Sequence, residues 1–408
     1  MSALEWDWRD TFAALRIRHF RWLWLAALAG STTFQMGAVA QGWLVYELSG
    51  SAFILGWVST GWSIATLFFA LYGGVMADRV EKRSIMLAAR GLMMLNTLII
   101  ALLITFGVIQ VWHLLLNSIL AGLSYSFIMP AQNAWIAELI DRRTLLNAAA
   151  LSSVGMGLMG IFSAWAAGQI IELYGVSGVY YAMFGIYSIA IFSISRLPAT
   201  GVLDGASASS VWSDLLDGVH YLVRNPLMLG LLVQGFARVL FAMPYRTFMP
   251  KFSSEVMGFD AVGLGLLMAA PGVGALISSM AVASLGDFRH KGLLLLGSGV
   301  VAGLGLVLFA GVPLWPLTLV FLALVGGSEN NAMVVTNALL QTYADPRFRA
   351  RAMSMLMLVW GFTPLGVLPA GAIADRVGVP LVVGVQGTLL AASFLAVWLW
   401  RPEIRRVE

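Results

Sequence analysis

Gly74-Val75-Met76-Ala77-Asp78-Arg79-Val80-Glu81-Lys82-Arg83 lies between two long apolar runs and packs three cations and two anions into the six residues from Asp78 to Arg83. A single charge at the centre of a bilayer costs about 2.5–3.5 kcal/mol on insertion scales, so this cluster must sit in water at a membrane edge. The apolar runs on either side must then cross. The rest of the chain reads the same way. Its 408 residues are 60% apolar and 11% charged, with a mean hydropathy of +0.86. Soluble domains carry about 25% charged residues, so this chain cannot cover a water-facing surface, and lipid must be most of its solvent. A helix needs about 20 apolar residues to cross the hydrocarbon layer. On that measure the sequence predicts twelve spans, at 21–46, 52–76, 84–108, 112–134, 146–172, 178–197, 227–249, 261–285, 292–311, 316–340, 352–373 and 380–400.

Twelve spans put both termini on one side, and cation placement decides which. Twenty of the 24 Lys and Arg fall on one proposed side, among them Arg9, Arg16, Arg79, Lys82, Arg83, Arg142, Arg143, Arg289, Lys291 and Arg405; Arg246, Lys251 and Arg376 fall on the other, and Arg238 is left at mid-depth. The cation-rich side is therefore expected to be the cytoplasm. Arg90, about two turns into span three, is expected to reach back to that interface with its long stem. In residues 1–19, Trp8, Phe12 and Leu15 fall at i, i+4, i+7. They read either as a short helix lying on the bilayer or as a solvated leader. Acids at Glu5, Asp7 and Asp10 break any signal-peptide pattern.

Residues 198–226 divide the chain. They open with Pro198-Ala199-Thr200-Gly201, pass a small-residue patch at 205–210 and end in an amphipathic stretch with Trp212, Leu215, Leu216, Val219 and Leu222 on one face. This predicts a flexible cytoplasmic linker followed by a surface helix. The flanking parts repeat: Ala167-Gly168 and Gly175-Val176 return as Ala370-Gly371 and Gly378-Val379, and Asp141 and Arg143 return as Asp345 and Arg347. An even number of spans per copy makes the repeat parallel, with its axis along the membrane normal. The expected organisation is a six-helix bundle at 1–197, the linker at 198–226 and a second six-helix bundle at 227–408.

The spacing G-x-x-x-D-R-x-x-[KR]-R in the opening stretch resembles the loop between helices two and three of the major facilitator superfamily, with Glu81 where that family has Gly. Four more stretches narrow the resemblance to the twelve-helix bacterial drug:proton antiporter branch that contains the enterobactin exporter. They are Phe20-Arg21-Trp22-Leu23-Trp24, Trp43 to Ser51, Asp214-Leu215-Leu216-Asp217-Gly218 with Asn225-Pro226, and Leu340-Gln341 to Asp345 with Arg349-Ala350-Arg351. Pro130-Ala131-Gln132 stands where the family often has Pro-Ala-Arg, Ser163-Ala164 replaces the Gly-Pro of the antiporter-associated motif in span five, and the span-four arginine is missing. The resemblance implies an all-α membrane protein, twelve transmembrane helices in two parallel six-helix bundles, a monomer in a bacterial inner membrane. It also implies that Gly74, Asp78, Arg79 and Arg83 serve as a gate, with Asp78 meeting the start of span eleven, where a helix dipole favours a carboxylate.

Of the 20 acids, Glu329 alone sits near the bilayer centre, in span ten, and Arg238 in span seven is the basic residue at that depth. Such residues face a cavity or a partner. By resemblance, spans one, four, seven and ten line the cavity. Gln234, Arg238, Phe241 and Tyr245 follow i, i+4, i+7, i+11, one helical face, as do Ser118, Gly122, Tyr125 and Met129 in span four. With Gln35, Asn330 and Met333, these predict a mostly apolar, aromatic pocket with few polar anchors, suited to an amphiphilic organic molecule. Substrate contacts are expected at Gln35, Tyr125, Gln234, Phe241, Tyr245, Asn330 and Met333, and proton coupling at Glu329 and Arg238; a structural ion pair between the bundle halves is the other reading.

There are no cysteines and four scattered histidines, which removes disulfides, thiolate catalysis and cysteine-ligated zinc. No Walker, dinucleotide-binding or His-Glu-x-x-His pattern occurs. No enzyme, cofactor, metal or nucleic-acid partner is expected; the partners are protons, lipid and a small organic substrate. The expected function is proton-coupled export of an amphiphilic compound, drug-like or siderophore, by alternating access. The alternatives are a uniporter or symporter for a metabolite or lipid, and a membrane sensor on a transporter fold.

Overall fold

The computed structural model describes residues 13–139, 141–199, 220, 222–284, 290–312, 314–345, 348, 353, 355 and 358–400. After a 3-10 turn at Ala13–Arg16 come α1 (Arg18–Ser49), α2 (Ala52–Arg79), α3 (Lys82–Thr105) and α4 (Val111–Leu139). The stretch Arg142–Ser195 breaks at Gly175, whose φ of 72° and ψ of 176° suit glycine alone. It therefore forms two antiparallel helices, α5 (142–174) and α6 (176–195). Then follow α7 (Pro226–Val256), α8 (Ala261–Ser284), α9 (Lys291–Gly311), α10 (Leu317–Tyr343), α11 (Thr363–Val377) and α12 (Val379–Trp400). Each predicted span meets one of these helices. Among the described residues, ten segments are long and apolar enough to cross a membrane, and one of them holds both α5 and α6. Of the surface region before α1 and the linker at 198–226, most lies outside the described residues.

Helix ends follow local chemistry. Gly50 closes α1 in the left-handed conformation (φ 63°), and the Ser51 hydroxyl accepts from the Ile54 N–H to start α2. Asn225 caps α7, accepting from the N–H groups of Leu227 and Met228, with Pro226 in the first turn where it loses no hydrogen bond.

Helices α1–α6 pack on one another, α7–α12 do the same, and the two groups meet chiefly along α2–α11 and α5–α8. Without a strong hydrophobic drive between helices in lipid, such seams depend on close backbone approach. A Cβ on Gly168 would stand 2.5 Å from the Ala261 carbonyl, and one on Gly371 2.8 Å from the Ala52 carbonyl. Further along, Gly56 faces Val367 and Gly361 faces Leu67. α2 and α11 are thus antiparallel neighbours. The seams converge at the end bearing Gly50 and Lys251, the cation-poor end of the sequence analysis.

The charged loop is anchored inside the first group. Lys82, 2% exposed, pairs with Glu138 at 2.8 Å and ties α3 to α4. Arg83 donates to the Ser195 carbonyl at 2.9 Å, at the end of α6 where a cation is favoured. Arg83 therefore ties the start of α3 to the end of α6. Arg79 is exposed, and the side chain of Asp78 lies outside the described residues. Arg90 does not reach for the interface. It is buried, its guanidinium lies where a Cβ on Gly30 would sit, and it stands 6.0 Å from the Tyr187 ring.

Gly168→Val is expected to force α5 from α8, at an overpacking cost of about 1–3 kcal/mol; the melting temperature of the protein in detergent should fall by several degrees, while Gly185→Val, at a position with open space around it, should leave it unchanged.

Candidate functional site

Glu329 sits midway along α10, in the run Glu329-Asn330-Asn331. Successive residues on a helix point about 100° apart, so the three cannot face one way. Asn330 donates to the Ser279 hydroxyl at 2.9 Å, and Asn331 accepts from Ser278. Ser278 also reaches the Gly327 carbonyl at 2.9 Å. Both asparagines therefore bond to α8. Glu329 turns instead toward α7.

There its Oε2 accepts from Arg246 at 3.0 Å. Arg238 does not meet the carboxylate; its guanidinium donates to the Glu329 main-chain carbonyl at 3.0 Å. The alternative of a Glu329–Arg238 ion pair is thus not the one formed in this state. The acid's partner is Arg246, which the sequence groups with Lys251 and Arg376 on the cation-poor side. The reason is a π-helical turn at Arg238–Ala242, closed by Met243 N–H to the Arg238 carbonyl at 3.1 Å and followed by Pro244. A π turn inserts one residue into the helical repeat. Counted from Arg238, the face that a regular helix would give to Tyr245 passes to Arg246. Tyr245 turns into the core instead, 1% exposed and edge-on to Phe309 at 6.4 Å. It is not a cavity residue.

The pair is asymmetric. The Glu329 side chain is 7% exposed and that of Arg246 is 46% exposed. Arg246 therefore opens toward solvent-accessible space while the carboxylate is enclosed. Among the described residues, Glu329 Oε1 has no hydrogen-bond donor. A buried carboxylate oxygen left unbonded carries a desolvation penalty of about 1–3 kcal/mol or more, and such oxygens are where a proton or a donor group gains most. Both α7 and α10 belong to the second six helices, so the pair does not stitch the two groups together.

Gln234, Arg238 and Met333 come together. With Met243, Thr336 and Trp360 they line a pocket of about 60 Å³, space for a few waters by volume. Both amide atoms of Gln234 are buried without a partner among the described residues. Phe241 is only partly buried, packed against the core. Across the molecule, Tyr125 is partly exposed and stands 5.5 Å from Trp62 and 6.4 Å from Phe34, ring to ring. Gln35 lies over Gly160 of α5. Behind this aromatic wall a polar chain links three helices: Gln41 donates to Ser118 at 2.7 Å, Asn117 to Gln41, and Asn96 to Asn117. Ser118 and Gly122, the latter packed on the Trp62 carbonyl, therefore hold α4 against α1 and α2, and only Tyr125 of that face is open.

Arg246 was missed because a uniform helical period was carried across Met243-Pro244. Proline lacks the N–H that continues a helix, and that was the available signal. Among the described residues no cluster of metal-ligating side chains occurs.

Two kinds of comparison bear on this arrangement. The chain spans most of the length of a multidrug efflux pump, Tap, of Mycolicibacterium fortuitum, with 24% identity over 94% of this chain and 95% of that protein. It is 23% identical to macrolide efflux protein A of Streptococcus pyogenes over 89% of this chain and 90% of that one. It is 28% identical to the enterobactin exporter EntS of Escherichia coli O1:K1 / APEC over 67% of this chain and 65% of that one. In fold it superposes on the nucleoside transporter NupG, with a TM-score of 0.74 over 94% of this chain and 100% of that one at 15% identity. It also superposes on a peptide transporter, POT, in complex with sulfate, with a TM-score of 0.76 over 95% of each chain at 14% identity. The profile of the transmembrane secretion effector family matches residues 9–407. The chain belongs to that family and is a membrane efflux transporter of the major facilitator type, not an enzyme.

Proposed function

We propose that the protein exports a small amphiphilic organic compound, drug-like or siderophore-like, in exchange for inward-moving protons, as a monomer in a bacterial inner membrane with both termini in the cytoplasm. The observation that carries this reading is the unbonded Oε1 of Glu329, buried at mid-depth beside an arginine that holds the other oxygen. A substrate N–H or O–H and a proton would compete for that one atom. Mutual exclusion at a single site is what exchange requires, because protonation then expels the substrate and substrate binding expels the proton. The aromatic cluster of Phe34, Trp62 and Tyr125 would supply apolar contact from the first six helices, and Gln234 supplies polar groups free to bond. Relatives that pump macrolides and enterobactin fit such a wall. In this reading the cation-poor end faces outward, Arg238 fixes the α10 backbone at the exchange site, and Gly74, Asp78 and Arg79 remain gate residues at the cytoplasmic end.

Purified protein in liposomes should expel a macrolide or catecholate probe faster when a pH gradient is imposed. Glu329→Gln keeps the shape but cannot ionise, and it should transport at a rate indifferent to the gradient; full gradient-driven transport by that variant would refute the coupling. Arg246→Met is expected to destabilise the fold by about 2 kcal/mol, less than a fully enclosed pair loses because the arginine is half exposed. Adding Glu329→Leu should restore most of the melting temperature, since removing both charges leaves none uncompensated.

A further inference from the structure

The turn that brings Arg246 to Glu329 carries a cost of its own. In a regular helix the Leu240 carbonyl would accept from the N–H four residues on. That residue is Pro244, which has no N–H and whose ring crowds the carbonyl four residues before it. The widened turn at Arg238–Ala242 inserts a residue ahead of the ring. The Leu240 carbonyl then needs a donor from another helix, because lipid has none to give.

Two neighbours attend to that carbonyl. Gln386 of α12, 7% exposed, donates to it from Nε2 at 3.3 Å. Gly366 of α11 lies against it: a Cβ there would stand 2.5 Å from the Leu240 oxygen and 2.8 Å from its Cα. A side chain at 366 would push the turn off its seat. Gln386 also stands apart within α12. Thr388 bonds the Gly384 carbonyl and Ser393 the Leu390 carbonyl, each in its own helix, whereas Gln386 reaches across to α7. Its Oε1 has no donor among the described residues. A buried amide that leaves one group unbonded costs stability, so packing gives no reason for it and the bond to Leu240 does.

We infer that Gln386 is a positioning residue of the efflux site: its bond to the Leu240 carbonyl, with Gly366 giving the turn room, holds α7 in the register that gives Arg246 to Glu329. Two registers are open to α7 beyond Arg238. With the inserted residue, Arg246 meets Glu329 and Tyr245 enters the core. Without it, every later side chain moves by one place, so Tyr245 takes the position of Arg246 and the carboxylate loses its cation. Gln386 favours the first register, since its amide is placed for the carbonyl of the widened turn. It touches neither the acid nor the arginine and acts through the backbone of α7. What the register does for proton exchange rests on the reading of Glu329 given above; the register itself does not.

The chain has no cysteine, so a single introduced one reports on its own position. Tyr245→Cys and Met249→Cys place it at two sites that are each 1% exposed. After loss of the inserted residue, position 245 takes the half-exposed place of Arg246 and position 249 the buried place of Pro250. Labelling by a small water-soluble maleimide should be slow at both sites while Gln386 is present. Adding Gln386→Met should raise the rate at 245 about fivefold, the effect of losing one hydrogen bond, and leave the rate at 249 unchanged. Pro244→Ala returns the missing N–H to the regular helix and should shift the rates in the same way; it serves if Gln386→Met is too unstable to label. An unchanged rate at 245 in both variants, or an equal rise at 245 and 249, would overturn the inference, since general loosening frees both sites. In liposomes, Gln386→Met in the otherwise intact chain should also flatten the dependence of export on the pH gradient. A changed labelling pattern with that dependence kept would uphold the register and count instead against proton exchange at Glu329.

Discussion

A charge in hydrocarbon must have a partner or a path to water, and that constraint organises this molecule. It expels the Asp78–Arg83 cluster to a membrane edge and so fixes where α2 ends and α3 begins. It also selects Glu329. An acid buried in the middle of α10 survives because Arg246 holds one of its oxygens at 3.0 Å and Arg238 holds its main-chain carbonyl. The second oxygen is left without a donor among the described residues. Lipid offers nothing to satisfy it, so that oxygen is the atom of the pair that has most to gain from a donor.

The same constraint shapes the seams between the halves. Helices in lipid gain little by hiding apolar surface from one another. Their contacts rest on small residues that let backbones meet and on hydrogen bonds at the rim. Gly168 against Ala261 and Gly371 against Ala52 supply the first; Asp375 with Ser51, Ala52, Phe53 and Lys251 supplies the second. Interfaces of this kind separate without exposing a greasy core, which suits a machine whose halves must part and rejoin.

Much of this was legible in the sequence. Hydropathy located the helices, and the charged loop with its flanking motifs pointed to the major facilitator fold, because both depend on composition and short spacing. Glu329 stood out as a lone acid in an apolar run. What could not be read was the direction of side chains past an irregular turn. A π turn at Arg238–Ala242 moved the inward face from Tyr245 to Arg246, and a periodicity argument has no term for an inserted residue. Asn330 looked like a ligand because it is polar and deep; α8 bonds it and its neighbour Asn331 through Ser279 and Ser278, a pairing between distant helices that spacing along one helix cannot reveal. Asp375 and Lys251 read as ordinary charges near a membrane edge, and only the antiparallel contact of α2 with α11 gave them a common purpose.

The central claim is that a proton and the substrate exclude one another at Glu329. Its most direct measurement is proton release on adding substrate to purified protein in weakly buffered detergent solution, followed across a range of pH. The account predicts that the parent releases a proton as substrate binds and that Glu329→Gln binds substrate with no release. Equal release from both proteins, or none from the parent at any pH, would contradict it.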